Sequence, residues 1–404
     1  MNKENNIIVI DSIMGSGKTT WAMENLIENN PEENILYITP YLNEITRIRD
    51  NSQRRIIEPM NKGYGKLDNI ANLLNNQMDI ASTHELFKRF DDRCMKALQE
   101  HDYTLILDET LTAVEQYQFQ KPDDYLYLIE NNDISVLENG LIEWTGNELN
   151  TRFDDVRILS KNHCLFKVDD KFFIWHFPIE IFKLFKKIYV LTYLFDGSIM
   201  KYYFDLYGLT YQTMSIRQAN GKYELCDYYI PDVSEYKKRF NIYQDGELLN
   251  NISQKSNALS SSWFKSGYNK SDILQLKNNI YNYCRNKINA KSEAIMWTTY
   301  KHSRKHLAQK GYTKGFVSCN CRATNDYSDK TCLIYALNVY VNPEIYKFFA
   351  RNQIEINQSQ VALSEMLQWI WRSNIRQNNN SVINIYIPSQ RMRKLFTDWL
   401  NQNM

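Results

Sequence analysis

A chain of 404 residues, 43% hydrophobic and 24% charged, has room for roughly two or three domains that each bury a core, and its composition is that of an ordinary soluble globular protein. No stretch approaches the roughly eighteen consecutive apolar residues of a membrane span, and the N-terminus has no leader pattern, which excludes an integral membrane protein and predicts a cytoplasmic location. A formal net charge of +1 supplies no whole-molecule attraction to nucleic acid, so any such binding must come from a locally basic cleft.

From residue 6 to about 195, short β-rich apolar runs alternate with helical patterns, as in a parallel sheet flanked by helices. The clearest runs are 7–10, 35–39, 78–82, 103–107 and 188–192. The long interval between the last two holds 157–177, whose alternation around Val168-Asp169-Asp170-Lys171 predicts a β-hairpin inserted into the first domain, within an insertion of about 111–185. A second α/β pattern runs to the C-terminus: a helix over 273–288, a strand over 294–298, a strand over 332–337, a helix over 363–376 and a strand over 382–387. The Ser- and Asn-rich stretch 254–270 reads as a surface loop. These patterns predict an α/β protein of two domains, 1–200 and 201–404.

Seven cysteines, an odd number without framework spacing, fit reduced thiols. Only Cys319, Cys321 and Cys332 cluster; zinc would need a fourth ligand, and the nearest histidines, His302 and His306, sit on a separate predicted helix, so core thiols are expected.

Glycine is scarce, with 13 residues, so two glycines within three positions carry information. They fall in Asp11-Ser12-Ile13-Met14-Gly15-Ser16-Gly17-Lys18-Thr19-Thr20, directly after the first apolar run and before a helical pattern over 21–28. Strand, small-residue loop and helix in this order form a phosphate loop. Its backbone N–H groups meet closely spaced negative charges at a helix N-terminus. Ser12, Met14, Gly15, Ser16, Gly17, Lys18, Thr19 and Thr20 are the expected nucleotide-binding residues, with Lys18 neutralising the β and γ phosphates of ATP and Thr19 binding Mg2+. Ser12 stands where the motif usually has its first glycine. The competing reading is a glycine turn with a chance Lys-Thr.

About ninety residues on, Tyr103-Thr104-Leu105-Ile106-Leu107 ends in Asp108-Glu109. A strand ending in two acids puts one carboxylate where it can hold Mg2+ through water and the next where it can polarise the attacking water. Two solvated acids at a strand end are the bland alternative.

The order Gly15-Ser16-Gly17-Lys18-Thr19, Thr39-Pro40-Tyr41, Ser82-Thr83-His84, Asp108-Glu109 and Leu191-Thr192-Tyr193 resembles the first-domain motif series of superfamily-two helicases, particularly phage and viral replication helicases and herpesvirus origin-binding proteins. The resemblance implies two RecA-like P-loop NTPase domains, nucleic-acid backbone contacts at Thr39, Pro40 and Thr83, and coupling of hydrolysis to movement through Thr192. In the second half, Trp297-Thr298-Thr299-Tyr300 resembles the family's fourth motif and Arg322-Ala323-Thr324-Asn325-Asp326-Tyr327 its fifth, which adds Thr298 and Thr324 as nucleic-acid contacts. Gln368, Arg372 and Arg376 are spaced by four, so on a helix they share one face, opposite Leu363, Leu367 and Ile370. Guanidinium forks on such a face suit a triphosphate. Trp371 stands where the helicase motif usually has glycine, and the second arginine comes one residue late. The short chain before the first run leaves no glutamine motif upstream, which places the sequence outside the DEAD-box branch.

The resemblance implies an ATP- and Mg2+-dependent helicase or translocase on nucleic acid, most of all single-stranded DNA. Its expected setting is phage or mobile-element DNA replication in a host cytoplasm, with replication proteins as partners and no membrane. An ATP-gated nucleic-acid switch without unwinding, and a phosphotransferase using the same loop, are the alternatives. Three basic groups are candidate tracks for nucleic acid or solvated faces: Lys183, Lys186 and Lys187; Lys237, Lys238 and Arg239; and Arg391, Arg393 and Lys394.

Overall fold

The structure, a computed structural model, describes residues 6–403 except 62, 64, 148–151, 170, 171, 245, 254, 320–325 and 378. The chain forms two compact units. The first comprises Met1–Ser12, Gly17–Tyr228 and Val341–Ile356; the second comprises Ile13–Ser16, Tyr229–Tyr340 and Asn357–Met404. No helix among the described residues is long and apolar enough to cross a membrane.

The strands of the first unit are β1 (Asn6–Asp11), β2 (Asn34–Thr39), β3 (Ile80–Thr83), β4 (Tyr103–Asp108), β5 (Val114–Tyr117), β6 (Ile134–Val136), β7 (Ile142–Trp144), β8 (Leu165–Asp169), β9 (Phe172–His176), β10 (Lys187–Thr192), β11 (Gln212–Ala219) and β12 (Lys222–Asp227). Seven of them form the main sheet, in the order β12-β11-β1-β10-β4-β2-β3. All neighbours run parallel except β11 and β12. Continuous apolar runs suit this sheet because helices cover both faces: Ile35 to Ile38 and Leu105 to Leu107 are fully buried. The strands reach the same edge in register, with Asp11 opposite Thr192, Leu191 opposite Asp108, and Thr39 opposite Thr83. Ligands of open parallel sheets bind outside this carboxyl edge.

The first unit runs past the boundary expected near 200. Without β11, which pairs with β1 in parallel, β1 would be an exposed edge; β12 then closes β11 as an antiparallel hairpin.

The insertion is a small α/β layer of its own. β5, β9 and β8 form a three-stranded sheet, and β6 and β7 a separate hairpin. Leu128, Ile134, Ile142, Phe153, Val156, Leu165 and Phe173 make its core. The expected hairpin is β8 and β9, but its first predicted residues belong to the helix Asp154–Lys161, because Val156 and Ser160 are buried at helical spacing. A helix from far downstream, Pro343–Arg351, packs on this layer. Asn342 caps it and Pro343 opens it. Phe348 meets Phe166 with ring centroids 5.4 Å apart, Lys347 pairs with Asp169 at 3.2 Å, and Arg351 donates to the Val168 carbonyl.

The second unit contains β13 (Phe240–Ile242), β14 (Ile295–Thr298), β15 (Cys332–Tyr335) and β16 (Ile383–Tyr386), in the all-parallel order β13-β16-β15-β14. Ile295, Trp297, Cys332 and Ile334 enter one core with Leu276, Ile280 and Tyr283. On the alternate face Tyr335 meets Trp369 at 5.5 Å between centroids. The stretch expected as a surface loop, 254–270, instead holds the helix Ser261–Lys265, whose Trp263 and Phe264 are buried. Two adjacent aromatics outweigh the polar composition around them, and Ser260 starts the helix by accepting from the Trp263 N–H. Cys332 is buried, with its thiol hydrogen-bonded to Cys284, and that contact together with burial holds its pKa well above the usual range. Cys321 lies outside the described residues.

Candidate functional site

β1 ends at Asp11, a buried carboxylate that accepts from the backbone N–H groups of Leu194 and Phe195, both at 2.8 Å. Burial pushes its pKa above the ordinary carboxylate value, against the pull of these two donors and of Lys18. Leu194 has φ 55, a left-handed turn that aims both N–H groups back at Asp11. Ser12 then donates its N–H to the Thr192 carbonyl at 3.0 Å, and its hydroxyl accepts from the Ile216 N–H at 2.9 Å. The serine at the motif's first position therefore ties the loop to β11. In the sequence Ser12 is only a small replacement for glycine, because the pairing of β11 with β1 leaves no local mark there.

The loop turns at Gly15 (φ 84) and Gly17 (φ 91). At Gly17 a side chain would be strained twice over: the φ is left-handed, and a Cβ would lie 2.2 Å from Cε1 of Tyr223 on β12, so that ring would have to shift. The helix Lys18–Ala22 follows, continued by a π-helical segment, Met23–Glu28, and the N–H groups of its first turn have no partner within the helix. The Lys18 ammonium donates back to the Ser12 carbonyl, so it stands over the loop.

At the end of β4, Oδ1 of Asp108 stands 3.5 Å from the Thr19 hydroxyl, and Oδ2 accepts a 2.8 Å hydrogen bond from the Tyr37 hydroxyl. Burial pushes the Asp108 pKa up, opposed by the Tyr37 donor and by the charges of Arg47 and Lys18. Glu109 leaves the strand with φ 75, a conformation that costs a non-glycine residue about 1–3 kcal/mol. Its N–H donates to the Leu191 carbonyl at 3.0 Å, which holds the turn in place.

These groups fit a magnesium-bound triphosphate. A hydroxyl and a carboxylate oxygen facing each other suit a hard cation that keeps several waters, and the Ser16 hydroxyl is buried with no hydrogen-bond partner among the described residues. Lys18, Thr19, Asp108 and Glu109 thus lie at the carboxyl ends of β1 and β4, separated by the one strand that ends in Thr192.

The remaining expected site residues fare differently. Thr39 and Thr298 end their strands, and both side chains are completely buried. Pro40 is half-buried, and the Thr83 hydroxyl accepts from the Leu86 N–H at 3.3 Å, capping a short helix. Thr324 lies outside the described residues. The shared face of Gln368, Arg372 and Arg376 does not form, because the helix Gln358–Ile370 ends before the arginines. Ser373 ends it: its hydroxyl donates to the Ile370 carbonyl at 2.7 Å and its side chain caps the 3-10 turn Asn374–Arg376. Gln368 is half-buried, Arg372 is buried with Nη1 3.4 Å from the Ser318 carbonyl, and Arg376 is exposed.

Two of the basic groups do structural work. Arg239 donates to the carbonyls of Asn374, Ile375, Gln377 and Ser381 at 2.9–3.2 Å. Arg391 bonds the Val339 and Gln358 carbonyls, and Arg393 the Ile387 carbonyl. Lys187 is paired with Glu33.

The family described as the YonV C-terminal Rossmann-like domain matches residues 234–400, and the YonV middle domain matches 114–175, from the start of β5 into β9. The SPbeta prophage-derived uncharacterized protein YonV of Bacillus subtilis (strain 168) is 41% identical over 411 residues, which cover 97% of this chain and 98% of that protein. Among solved structures, S. tokodaii Xpd4 is similar at 12% identity and a TM-score of 0.46, covering 98% of this chain and 94% of that one. The DUF1998 helicase MrfA bound to DNA and AMPPNP is similar at 12% identity and a TM-score of 0.35, over 98% of this chain and 49% of that one.

Proposed function

The chain belongs to the YonV family, and from that premise we propose that it is an ATP-hydrolysing motor on nucleic acid, a helicase or translocase acting on single-stranded DNA in phage replication. The observation that carries the reading is the convergence of Lys18, Thr19, Asp108 and Glu109 at one edge of the main sheet, with Thr192 ending the strand between. The prophage origin of the relative supports the phage setting. Partners among replication proteins belong to the same proposal.

In this reading the loop amides and Lys18 hold the phosphates of ATP, and Thr19 and Asp108 hold Mg2+. The ion supplies charge neutralisation of the β and γ phosphates. Glu109, re-aimed by its left-handed backbone, accepts a proton from water as the water oxygen attacks the γ phosphorus; the bond from that phosphorus to the β-phosphate oxygen breaks, leaving ADP and phosphate. Thr192 is proposed to couple this chemistry to movement: the Ser12 N–H bond to its carbonyl and the Asp11 bonds just beyond link it to the loop. Gln368, Arg372 and Arg376 are proposed to assist hydrolysis, and Thr39, Pro40, Thr83, Thr298 and Thr324 to belong to segments that follow the nucleic-acid backbone.

The test is steady-state ATPase activity with and without single-stranded DNA, RNA and duplex. Lys18→Ala and Glu109→Gln are expected to abolish turnover, Glu109→Gln while retaining bound ATP, and single-stranded DNA is expected to stimulate the wild type. Full activity in either folded variant would sink the assignment. A rate indifferent to every nucleic acid would favour the phosphotransferase; stimulation without strand separation on forked duplexes would favour the ATP-gated switch.

A further inference from the structure

We infer that Tyr37 is a positioning residue that orients the Asp108 carboxylate for its metal, an inference that rests on the nucleotide-site reading above. β2 and β4 are neighbours with Tyr37 opposite Ile106. Side chains two apart along a strand share a face, so Ile106 and Asp108 project toward the same side as Tyr37. A tyrosine is long enough to span that interval, and its hydroxyl meets Oδ2 of Asp108 at 2.8 Å.

The Tyr37 ring is completely buried, in the core that also contains Trp21, Ala22 and Ile106, so the hydroxyl cannot turn to another partner without repacking that core. One carboxylate oxygen is thereby fixed. The other, Oδ1, is left facing Thr19 at 3.5 Å, on the side from which the phosphate-loop helix approaches. Arg47, paired with Glu44 at 3.0 Å, and Lys18 are the further charges that act on Asp108. Phenylalanine would fill the same volume and remove the 2.8 Å donor from Asp108. Sequence patterning reads Tyr37 as one more apolar residue of a buried strand, which is why the role is not visible there.

Tyr37→Phe tests the role through binding as well as turnover. ADP binding measured by calorimetry in the presence of a chelator should match wild type, while the strengthening by Mg2+ falls and the half-saturating Mg2+ for ATP hydrolysis rises about 10- to 100-fold, as for other groups that orient a metal ligand. In an Asp108→Asn background the same change should leave Mg2+ dependence unmoved. An unaltered Mg2+ response in folded Tyr37→Phe overturns the inference alone; wild-type protein that binds no ADP overturns the nucleotide-site reading and this inference with it. Should Tyr37→Phe fail to fold, the comparison moves to thermal melting: recovery in the Asp108→Asn double variant supports the coupling, and equal destabilisation in both backgrounds overturns it.

Discussion

Asp11 joins the phosphate loop to the segment after β10, and its environment makes the junction sensitive to pH. Burial raises its native pKa above the unfolded value of about 3.9, so the folded chain holds the proton to higher pH than the unfolded chain. The group's contribution to stability is therefore complete below the unfolded value and is lost as pH rises through the raised native one. Asp11→Asn should remove that slope, visible in urea midpoints followed from acid to neutral pH. It should also cost about 1–3 kcal/mol, because an amide offers one acceptor where two N–H groups converge. Gly17 yields a second residue-scale prediction. Gly17→Ala should destabilise and abolish ADP binding, and trimming the neighbour with Tyr223→Ala should recover only part of the stability. The left-handed backbone would still cost the alanine about 1–2 kcal/mol, which a double-mutant melting cycle measures.

At the scale of elements, the two arginines after the helix Gln358–Ile370 have different surroundings and should separate by measurement. Arg372→Ala removes a buried side chain and should lower the melting temperature. Arg376→Ala alters an exposed one and should leave stability within about 0.5 kcal/mol. If Arg376 assists hydrolysis as transition-state arginines do, its loss should cut turnover roughly a thousandfold without unfolding the protein. The segment that carries it is stapled by Arg239, a candidate from sequence for a basic track or a solvated face. Its guanidinium instead satisfies backbone carbonyls that a loop cannot satisfy itself. Arg239→Ala should speed hydrogen exchange across 374–381 and destabilise by about 2–4 kcal/mol; unchanged exchange there would show that the loop holds itself.

For the whole molecule, the order of residues in the chain is not the order of the units. The helix Pro343–Arg351 lies far downstream, yet it covers the β8 and β9 layer of the first unit. A fragment ending at Tyr228 should therefore expose Phe166 and melt well below the first unit of the intact chain, and a peptide spanning 341–356 added in trans should raise its melting temperature. A fragment as stable as the intact unit would make that helix dispensable. With a net charge of +1, binding of single-stranded DNA should lose affinity only modestly between low and moderate salt, as expected for a few phosphate contacts; a steep slope would require a cationic track not formed by Arg239, Arg391 and Arg393.

The strands at the centre of the main sheet, the turn at Gly15 and Gly17 between strand and helix, and the strand end at Asp108-Glu109 were legible in the sequence because each rests on local signals. Continuous apolar runs mark strands buried on both faces, and the small-residue loop between strand and helix is constrained by its own backbone. Contacts between residues distant in sequence left no such mark. The inclusion of β11 and β12 in the first unit, the return of 341–356 to it, the hydroxyl of Tyr37 on Asp108 and the tie from Ser12 to Ile216 all join segments whose partner is chosen by packing. The Gln368, Arg372 and Arg376 pattern shows the same limit in reverse. Four-residue spacing places side chains on one face only while the helix lasts, and Ser373 bonding back to Ile370 ends it there, a competition between side chain and backbone that spacing alone does not reveal.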